Sequence, residues 1–313
     1  MFDSALSALN DRIDSNFLTA FWLPAILAVF ANVGLLAVLM GPAALMGRAD
    51  ELDSVEQTFL ALLLLLASLI VALLLRALAL VIIGFFAGEM LPRIVAEWST
   101  RGQKRARTHA LRLRDFATRD LPAPTSSDEV RRLLEQRFPR DEAALRPTRF
   151  GNMLAMTNEY SLTVYEMDGL LWWPHLALLL PDEVRDRLHG AQAAMLGLLN
   201  LSLICGVLAV EAFLGLGLAG RQWMEAIGGA IGGVVLAWLC YQAAVNQTLE
   251  VAGQIRVSFN LYRHAILTQL NRSIPDDLAS ERALWQSLTQ ELLGSPAPAP
   301  AGDETATATR GNG

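Results

Sequence analysis

The sequence predicts an all-α integral membrane protein in which two transmembrane helical hairpins flank a mainly helical cytoplasmic domain. The chain contains four long runs without charged side chains, at residues 15–47, 57–75, 190–210 and 226–249, and a polar middle region divides them into two pairs. The hydrophobic fraction of 53% exceeds the about 45–50% of soluble domains. Because a helix needs about 20 apolar residues to cross a bilayer, each run is long enough to be a span.

Composition argues against several kinds of partner and ligand. The net charge of −6 does not favour nucleic-acid binding, which usually requires a basic domain. Cys205 and Cys240 are the only cysteines, and both lie in apolar runs, where each is expected to be a small buried hydrophobic residue. No metal-ligand spacing is present, so we expect neither a metal nor a cofactor. The N-terminus lacks the features of a cleaved signal peptide.

The basic residues predict the orientation, because such residues near the ends of spans stay on the cytoplasmic side. The loop between the first two runs carries one arginine, Arg48, against four acidic residues. The stretch after the second run carries seven basic residues, Arg93, Arg101, Lys104, Arg105, Arg107, Arg112 and Arg114. This asymmetry predicts that the middle region and both termini face the cytoplasm of a bacterial plasma (inner) membrane.

The elements of the first half follow from apolar spacing. Residues 1–16 are predicted to form an amphipathic interfacial helix, because their large apolar residues recur every three or four positions. Residues 17–95 form the predicted first transmembrane hairpin, with spans over about 18–46 and 58–86. Residues 89–114 are expected to continue the second of these helices into the cytoplasm with a basic face.

The second half begins with a predicted cytoplasmic domain at residues 96–188, which contains a Pro/Ser linker at 121–127 and a short helix at 128–138. A helix that starts at Pro181-Asp182 is expected to run into the second transmembrane hairpin, residues 189–250. Residues 251–293 are predicted to form C-terminal cytoplasmic helices, the first continuous with the fourth span and the second starting after residues 273–277. Residues 294–313 have the composition of a disordered tail.

Arg76 and Glu211 are the only charged residues well inside the predicted spans, and an ionisable residue there is a candidate functional residue. Arg76 lies near the inner end of the second span, where its side chain is expected to reach the lipid headgroups. Glu211 lies only about 14 Å from the outer face, so the two residues are not expected to meet. Together with the deeper Asn200, Glu211 either lines a polar path or is neutral or hydrogen-bonded within the bundle.

A glycine stripe in the fourth span predicts close helix packing. Two overlapping GxxxG patterns are formed by Gly228, Gly229, Gly232 and Gly233, and small residues four positions apart let helix backbones approach each other in lipid. The partner is either the third span of the same chain, which we favour, or a second subunit. A GLGLAG segment at 215–220 matches a dinucleotide-binding pattern, but no strand precedes it, so no cofactor site is expected.

The densest group of chemically active side chains lies between Arg146 and Val184, and its candidate residues are Glu159, Tyr160, Tyr165, Asp168, Trp173, Pro174 and His175. A catalytic interpretation makes Glu159 or Asp168 a base with His175 as its partner. A structural interpretation makes the Trp-Pro segment an interfacial wedge that buries residues 176–180 against the inner ends of the spans. The structural interpretation is favoured, because no nucleophile elbow, phosphate loop or metal-ligand spacing accompanies these residues.

Ten residues of this region form a signature, namely Gly151, Asn152, Tyr160, Tyr165, Asp168, Trp173, Pro174, Leu176, Leu180 and Pro181. Together with the four-span layout, the signature resembles that of an uncharacterised family of bacterial membrane proteins. The resemblance implies the same architecture and no established activity. The chain departs from the pattern at three positions. Asn158 stands where the signature has glutamate, Glu166 where members usually show glycine, and His175 where they show arginine.

Three classes of function follow from these observations. The favoured one is a membrane-anchored interaction module or scaffold that binds an unknown cytoplasmic protein partner. The second is an oligomeric channel or pore-forming effector, a homo-oligomer assembled through the glycine stripe and gated by the cytoplasmic domain. The third, a membrane enzyme, is the least favoured, so we expect no enzymatic activity. The lipid bilayer is a partner in all three.

Overall fold

A computed structural model describes residues 15–41, 47, 51–120, 138–139, 144–219 and 222–294. Within these residues every regular element is a helix, which confirms the predicted all-α class. In chain order the helices are α1 (Ser15–Met40), α2 (Ser54–Ala77), α3 (Ala79–Ala87), α4 (Arg93–Asp120), α5 (Arg149–Tyr165), α6 (Gly169–Leu179), α7 (Asp182–Ala212), α8 (Trp223–Gln269) and α9 (Leu278–Leu292). The predicted interfacial helix at 1–16, the linker at 121–127, the helix at 128–138 and the tail at 294–313 lie wholly or mostly outside the described residues.

Four helices are long and apolar enough to cross a membrane, as expected: α1, α2, α7 with its continuation to Leu218, and α8. Large apolar side chains such as Phe30, Phe59 and Trp238 remain exposed on these helices, as suits contact with lipid. The helices differ in burial. Half of the most apolar window of α7 is buried, against 11–17% for the other three. The helix α7 is therefore the most enclosed of the four.

The second apolar helix is shorter than predicted. Asp53 accepts a hydrogen bond from the backbone of Val55, and the backbone N–H of Asp53 donates one to Glu56, so a capping box starts α2. The helix ends at Ala77, and α3 follows it. Residues 89–114 do not continue the second span as predicted, because the chain turns at Gly88, which has a φ of +87° that suits glycine, and the helical part of this stretch starts only at Arg93. Pro92 follows shortly before α4 starts.

The contact between α1 and α7 depends on two residues of α7. A Cβ atom at Gly197 would lie 2.5 Å from the carbonyl oxygen of Thr19, so only glycine permits this approach. One turn later, Asn200 is 1% exposed and donates a hydrogen bond of 2.7 Å to the carbonyl oxygen of Ala20. Both oxygens belong to a π-helical stretch of α1, Leu18–Trp22. Small residues and interhelical hydrogen bonds are the usual means of helix association in lipid.

The glycine stripe divides into two faces. A Cβ at Gly229 would lie 3.2 Å from the Cβ of Ala212, and one at Gly233 would lie 2.7 Å from the Cβ of Ala209. These two glycines therefore pack against α7 of the same chain. A Cβ added at Gly228 or Gly232 would meet no described atom within 4 Å, so these two glycines lie on an open face.

Two compact units are distinguishable in the chain. Unit 1 comprises residues 1–157 and 181–257, and it contains the four apolar helices up to Val257 in α8. Unit 2 comprises residues 158–180 and 258–313. Unit 2 therefore joins the Trp-Pro segment to the C-terminal helices, which the sequence predicts as separate elements.

We expect Gly233→Ala to destabilise the protein and Gly232→Ala to leave its stability unchanged or raised. The added methyl at Gly233 meets Ala209 at less than van der Waals distance, and such overpacking costs about 1–3 kcal/mol. The same methyl at Gly232 meets open space. Thermal unfolding in detergent measures both variants. Equal stability of the two variants would contradict the assignment of these glycines to different faces.

Candidate functional site

The sequence-predicted candidates of the Trp-Pro region lie in unit 2. This unit is built from the end of α5, the whole of α6, the end of α8 and the whole of α9. Its two segments are separated by more than seventy residues of sequence. Tryptophans, tyrosines and one buried carboxylate connect them. These contacts determine which side chains are engaged within unit 2 and which are exposed to another molecule.

The core of unit 2 is an aromatic pair. Trp172 is 1% exposed and Trp285 is fully buried, and their rings meet edge to face with centroids 5.1 Å apart. The indole nitrogen of Trp172 donates a hydrogen bond of 3.0 Å to the hydroxyl of Thr289. Trp173 is only half-buried and packs at an angle on Phe259. The main anchor is therefore Trp172, whereas the sequence pattern singles out Trp173.

Two tyrosines converge on one amide. The hydroxyls of Tyr160 and Tyr165 donate hydrogen bonds of 2.9 Å and 2.8 Å to the same side-chain oxygen of Asn260. The guanidinium of Arg263 lies 4.2 Å from the centroid of the Tyr165 ring, within the range of a cation–π contact. Both predicted tyrosines thus meet, and they fix the end of α5 to the end of α8.

A buried ion pair lies beside the tyrosines. Glu281 is 5% exposed, and its Oε1 accepts a hydrogen bond of 2.6 Å from Nε of Arg263. The same oxygen lies 3.1 Å from Nε2 of His264 and accepts a longer hydrogen bond from the Trp285 indole. The carboxylate therefore connects α8 to α9 and also to the aromatic core.

The electrostatics of this cluster favour the charged carboxylate. Burial alone would raise the pKa of Glu281, but hydrogen bonds from Arg263 and Trp285 and the charges of Arg263 and His264 hold that pKa below its ordinary value of 4.5. Burial raises the pKa of the Tyr165 hydroxyl above its ordinary value, against the opposing charge of Arg263. At neutral pH the pair is thus ionised and the tyrosine is a neutral hydrogen-bond donor.

The catalytic interpretation finds little support in this geometry. Asp168 is the N-cap of α6, where it accepts hydrogen bonds from the backbone N–H groups of Leu170 and Leu171. His175 is exposed on α6 and packs on Trp172, with ring centroids 5.4 Å apart. Glu159 is half-buried on α5. The carboxylate of Asp168 is thus engaged in capping, and Pro174 lies exposed within α6.

The corner between α5 and α6 is strained at one residue. Glu166 has a φ of +57°, a left-handed conformation that costs a residue with a side chain about 1–2 kcal/mol. Its carboxylate accepts a short hydrogen bond from the side chain of Gln286, and Arg282 donates one of 2.9 Å to the carbonyl oxygen of Val164. Glycine adopts this backbone conformation without strain, so the contacts from α9 stabilise a conformation that is unfavourable for glutamate.

The candidates in unit 1 are separated. Arg76 lines a cavity that also includes His189 of α7. Glu211 lies 22 residues after His189 on the same helix, roughly 33 Å away at 1.5 Å per residue, so Arg76 and Glu211 do not pair. One carboxylate oxygen of Glu211, Oε2, is buried without a hydrogen-bond partner among the described residues. The Asn200 amide is engaged with the α1 backbone, which is a packing role.

Sequence reasoning missed four residues of the polar cluster in unit 2, namely Asn260, Arg263, His264 and Glu281. One signal was available for the carboxylate. Leu278, Trp285 and Leu288 define one face of α9, and Glu281 lies on that same face by helical spacing. A charged residue within an apolar stripe requires a partner when it is buried. No comparable pattern identifies Asn260.

We expect Glu281→Gln to loosen unit 2, because it leaves the guanidinium of Arg263 buried without its counter-charge. Removing one partner of a buried ion pair costs about 3–5 kcal/mol. Hydrogen–deuterium exchange of residues 258–269 and 278–292 measures the loss. The matched control is Glu291→Gln, which removes the exposed partner of Arg272 and is expected to cost about 0–1 kcal/mol.

The comparison of wild type with Glu281→Gln also gives an expected pH dependence. The pKa of Glu281 is lowered in the folded protein, so the stabilisation is fully present above the ordinary value of 4.5 and is lost as the pH falls through the folded pKa. The stability difference between wild type and Glu281→Gln should therefore shrink below pH of about 4.5. A difference that is constant from pH 7 to pH 3 would contradict the ion-pair explanation.

Within the described residues, no group of three or more His, Cys, Asp or Glu side chains is arranged to hold a metal ion. The cluster in unit 2 is a set of mutually satisfied side chains that fixes four helical segments. Comparison of the chain with family models, curated proteins and solved structures finds no match.

Proposed function

We propose that this chain is a multi-pass protein of a bacterial inner membrane and acts as a membrane-anchored interaction module. In this proposal two transmembrane hairpins flank the cytoplasmic region, both termini face the cytoplasm, and unit 2 binds a protein partner there. The four apolar helices support the membrane placement. The basic residues of α4 support the orientation, since such residues near spans stay on the cytoplasmic side.

The observation that carries the binding role is the outer face of α6. Leu170 is 70% exposed and Leu178 is 81% exposed, and helical spacing places both on one side of α6 with the exposed Pro174 between them. The opposite side carries the buried Trp172 and Leu176. We define the outer α6 face as residues 170, 174 and 178. An apolar face of this kind is typical of a surface that a partner covers.

The fixed geometry of the supporting unit favours recognition of a partner by the outer α6 face. The outer α6 face is carried by a helix that Trp172 and the capping Asp168 hold in place. A rigid face loses little conformational entropy when a partner binds, which favours affinity. The polar side chains that connect the helices of unit 2 are hydrogen-bonded to one another, and the capping carboxylate is engaged with backbone N–H groups. The feature of unit 2 that remains available to another molecule is therefore the outer α6 face, which suits a binding role.

A second candidate function is an oligomeric channel or pore-forming effector. The open face of Gly228 and Gly232 on α8 favours it, because small residues on a lipid-facing helix permit close approach of a second copy. Glu211, with a carboxylate oxygen that has no partner among the described residues, supplies a polar group within a span. Mass measurement in detergent and ion flux into liposomes distinguish this candidate from the interaction module.

We expect a photo-reactive amino acid at Leu178 to form one discrete cross-link to another protein in intact cells. The side chain at this position is exposed on the outer α6 face, so a bound partner lies within reach. The matched control places the same amino acid at Glu291, which is exposed on α9 of the same unit. Mass spectrometry of the adduct identifies what is bound.

The variant Leu178→Glu completes this test, because a charge on the apolar face weakens the contact while α6 stays folded on its buried side. Loss of the adduct partner from the purified complex is the expected result. Cross-linking to lipid alone would overturn the proposal. Cross-linking to a second copy of this chain would favour the oligomeric channel.

We expect a cysteine at Glu51 to react with a membrane-impermeant reagent in intact cells, and cysteines at Ser126 or Ser295 to react only after lysis. Glu51 is exposed and, unlike Asp53, does not cap α2. The background protein carries Cys205→Ala and Cys240→Ala, which removes the two buried native thiols. The opposite labelling pattern would invert the proposed orientation.

A further inference from the structure

A cavity of about 300 Å³ lies in unit 1, where the start of α1, the end of α2 and residues 189–196 of α7 meet. Its lining combines aromatic and small apolar residues with four polar side chains, Asn16, Arg76, His189 and Gln192. The volume is at the lower end of the about 300–1,000 Å³ typical of small-molecule sites. The function proposed above makes no use of this cavity.

The polar groups of the cavity are suited to an anion. Arg76 provides a permanent positive charge with several N–H donors, and the amides of Asn16 and Gln192 and the ring of His189 provide further N–H groups. No described residue that lines the cavity is acidic, although Asp186 lies one turn before His189 on α7. The guanidinium of Arg76 lies 5.8 Å from the centroid of the Phe17 ring, which limits its orientation.

The cavity lies at the level where lipid headgroups begin. Arg76 is one residue before the end of α2, after a long stretch without charge, and the apolar helix α3 follows it. His189 is the last ionisable residue before the uncharged stretch of α7, which starts at Gly190. The uncharged stretches of α1 and α7, which begin at Ser15 and Gly190, both start at the level of this cavity, as expected at a membrane interface.

We propose that this cavity binds the phosphate group of an anionic phospholipid from the cytoplasmic leaflet. Arginine with additional N–H donors forms charge-assisted hydrogen bonds to phosphate oxygens, and the Phe17 and Leu196 side chains contact the glycerol and the first carbons of the acyl chains. Exposed Leu73 on α2, one turn from Arg76, continues the apolar surface toward the bilayer. A free phosphate anion presents the same oxygens without the apolar part.

The test uses the full chain in lipid nanodiscs and native mass spectrometry after gentle detergent release. We expect one phosphatidylglycerol molecule to remain bound when the nanodisc contains that lipid, and none when it contains phosphatidylcholine alone. Arg76→Gln should lower the affinity for phosphatidylglycerol by about tenfold or more, since a hydrogen bond to a charged group is lost. Arg76→Lys, which keeps the charge, should lower this affinity less.

The matched control is Arg93→Gln, which removes an arginine of α4 that does not line the cavity. Equal lipid loss in Arg93→Gln and Arg76→Gln would show general attraction to charge and overturn the site. Thermal unfolding in a neutral detergent checks that Arg76→Gln remains folded. If that variant unfolds, His189→Ala and Gln192→Ala replace it, and unchanged lipid retention in both overturns the proposal.

Inorganic phosphate distinguishes the two sources of the ligand. Added at millimolar concentration, it should leave the bound phosphatidylglycerol in place, because the apolar part of the lipid adds to its affinity. Displacement of the lipid by inorganic phosphate, with Arg76→Gln abolishing phosphate binding, would identify a free anion as the ligand and overturn the lipid assignment.

Discussion

Helices in a bilayer gain no hydrophobic stabilisation from touching one another, because lipid is as apolar as the helix surface. Their association depends on close van der Waals contact and on interhelical hydrogen bonds. In unit 1 this constraint falls mainly on α7. Gly197 packs closely on the backbone of α1 and Asn200 donates a hydrogen bond to it, while Ala209 and Ala212 pack against two glycines of α8. The most enclosed apolar helix, α7, is thus the one that carries small and polar residues on several sides.

Unit 2 depends on a different interaction. Glu281 concentrates donors from Arg263, His264 and Trp285 on one carboxylate, and a charge so deeply buried is tolerated only when its partners are complete. The tyrosines add a second polar connection through Asn260. Such a network favours one arrangement of four helical segments over others of similar apolar burial. The outer α6 face owes its fixed geometry to this arrangement.

The sequence predicts the helical class and the four apolar helices well, because a run of twenty apolar residues has few physical interpretations. The glycine pattern predicts that Gly229 and Gly233 pack against a helix. Whether that helix is α7 or belongs to a second subunit depends on which residues α7 presents to α8, which the pattern does not show. Gly88 ends α3 through a positive φ, and a single glycine in an apolar run is a weak signal of that break. The contact of Trp172 with Trp285 cannot be predicted from local sequence patterns, since nothing in either segment identifies the other as its partner.

The separation of those two tryptophans has a consequence for biosynthesis. Thr289, which accepts the hydrogen bond of Trp172, is made 117 residues later, after both α7 and most of α8 have left the ribosome. During that interval α6 has an apolar surface on both sides, the outer α6 face and the side that α9 later covers. Synthesis of this chain therefore includes a stage in which an incomplete unit 2 leaves the Trp172 side of α6 without the helix that later covers it.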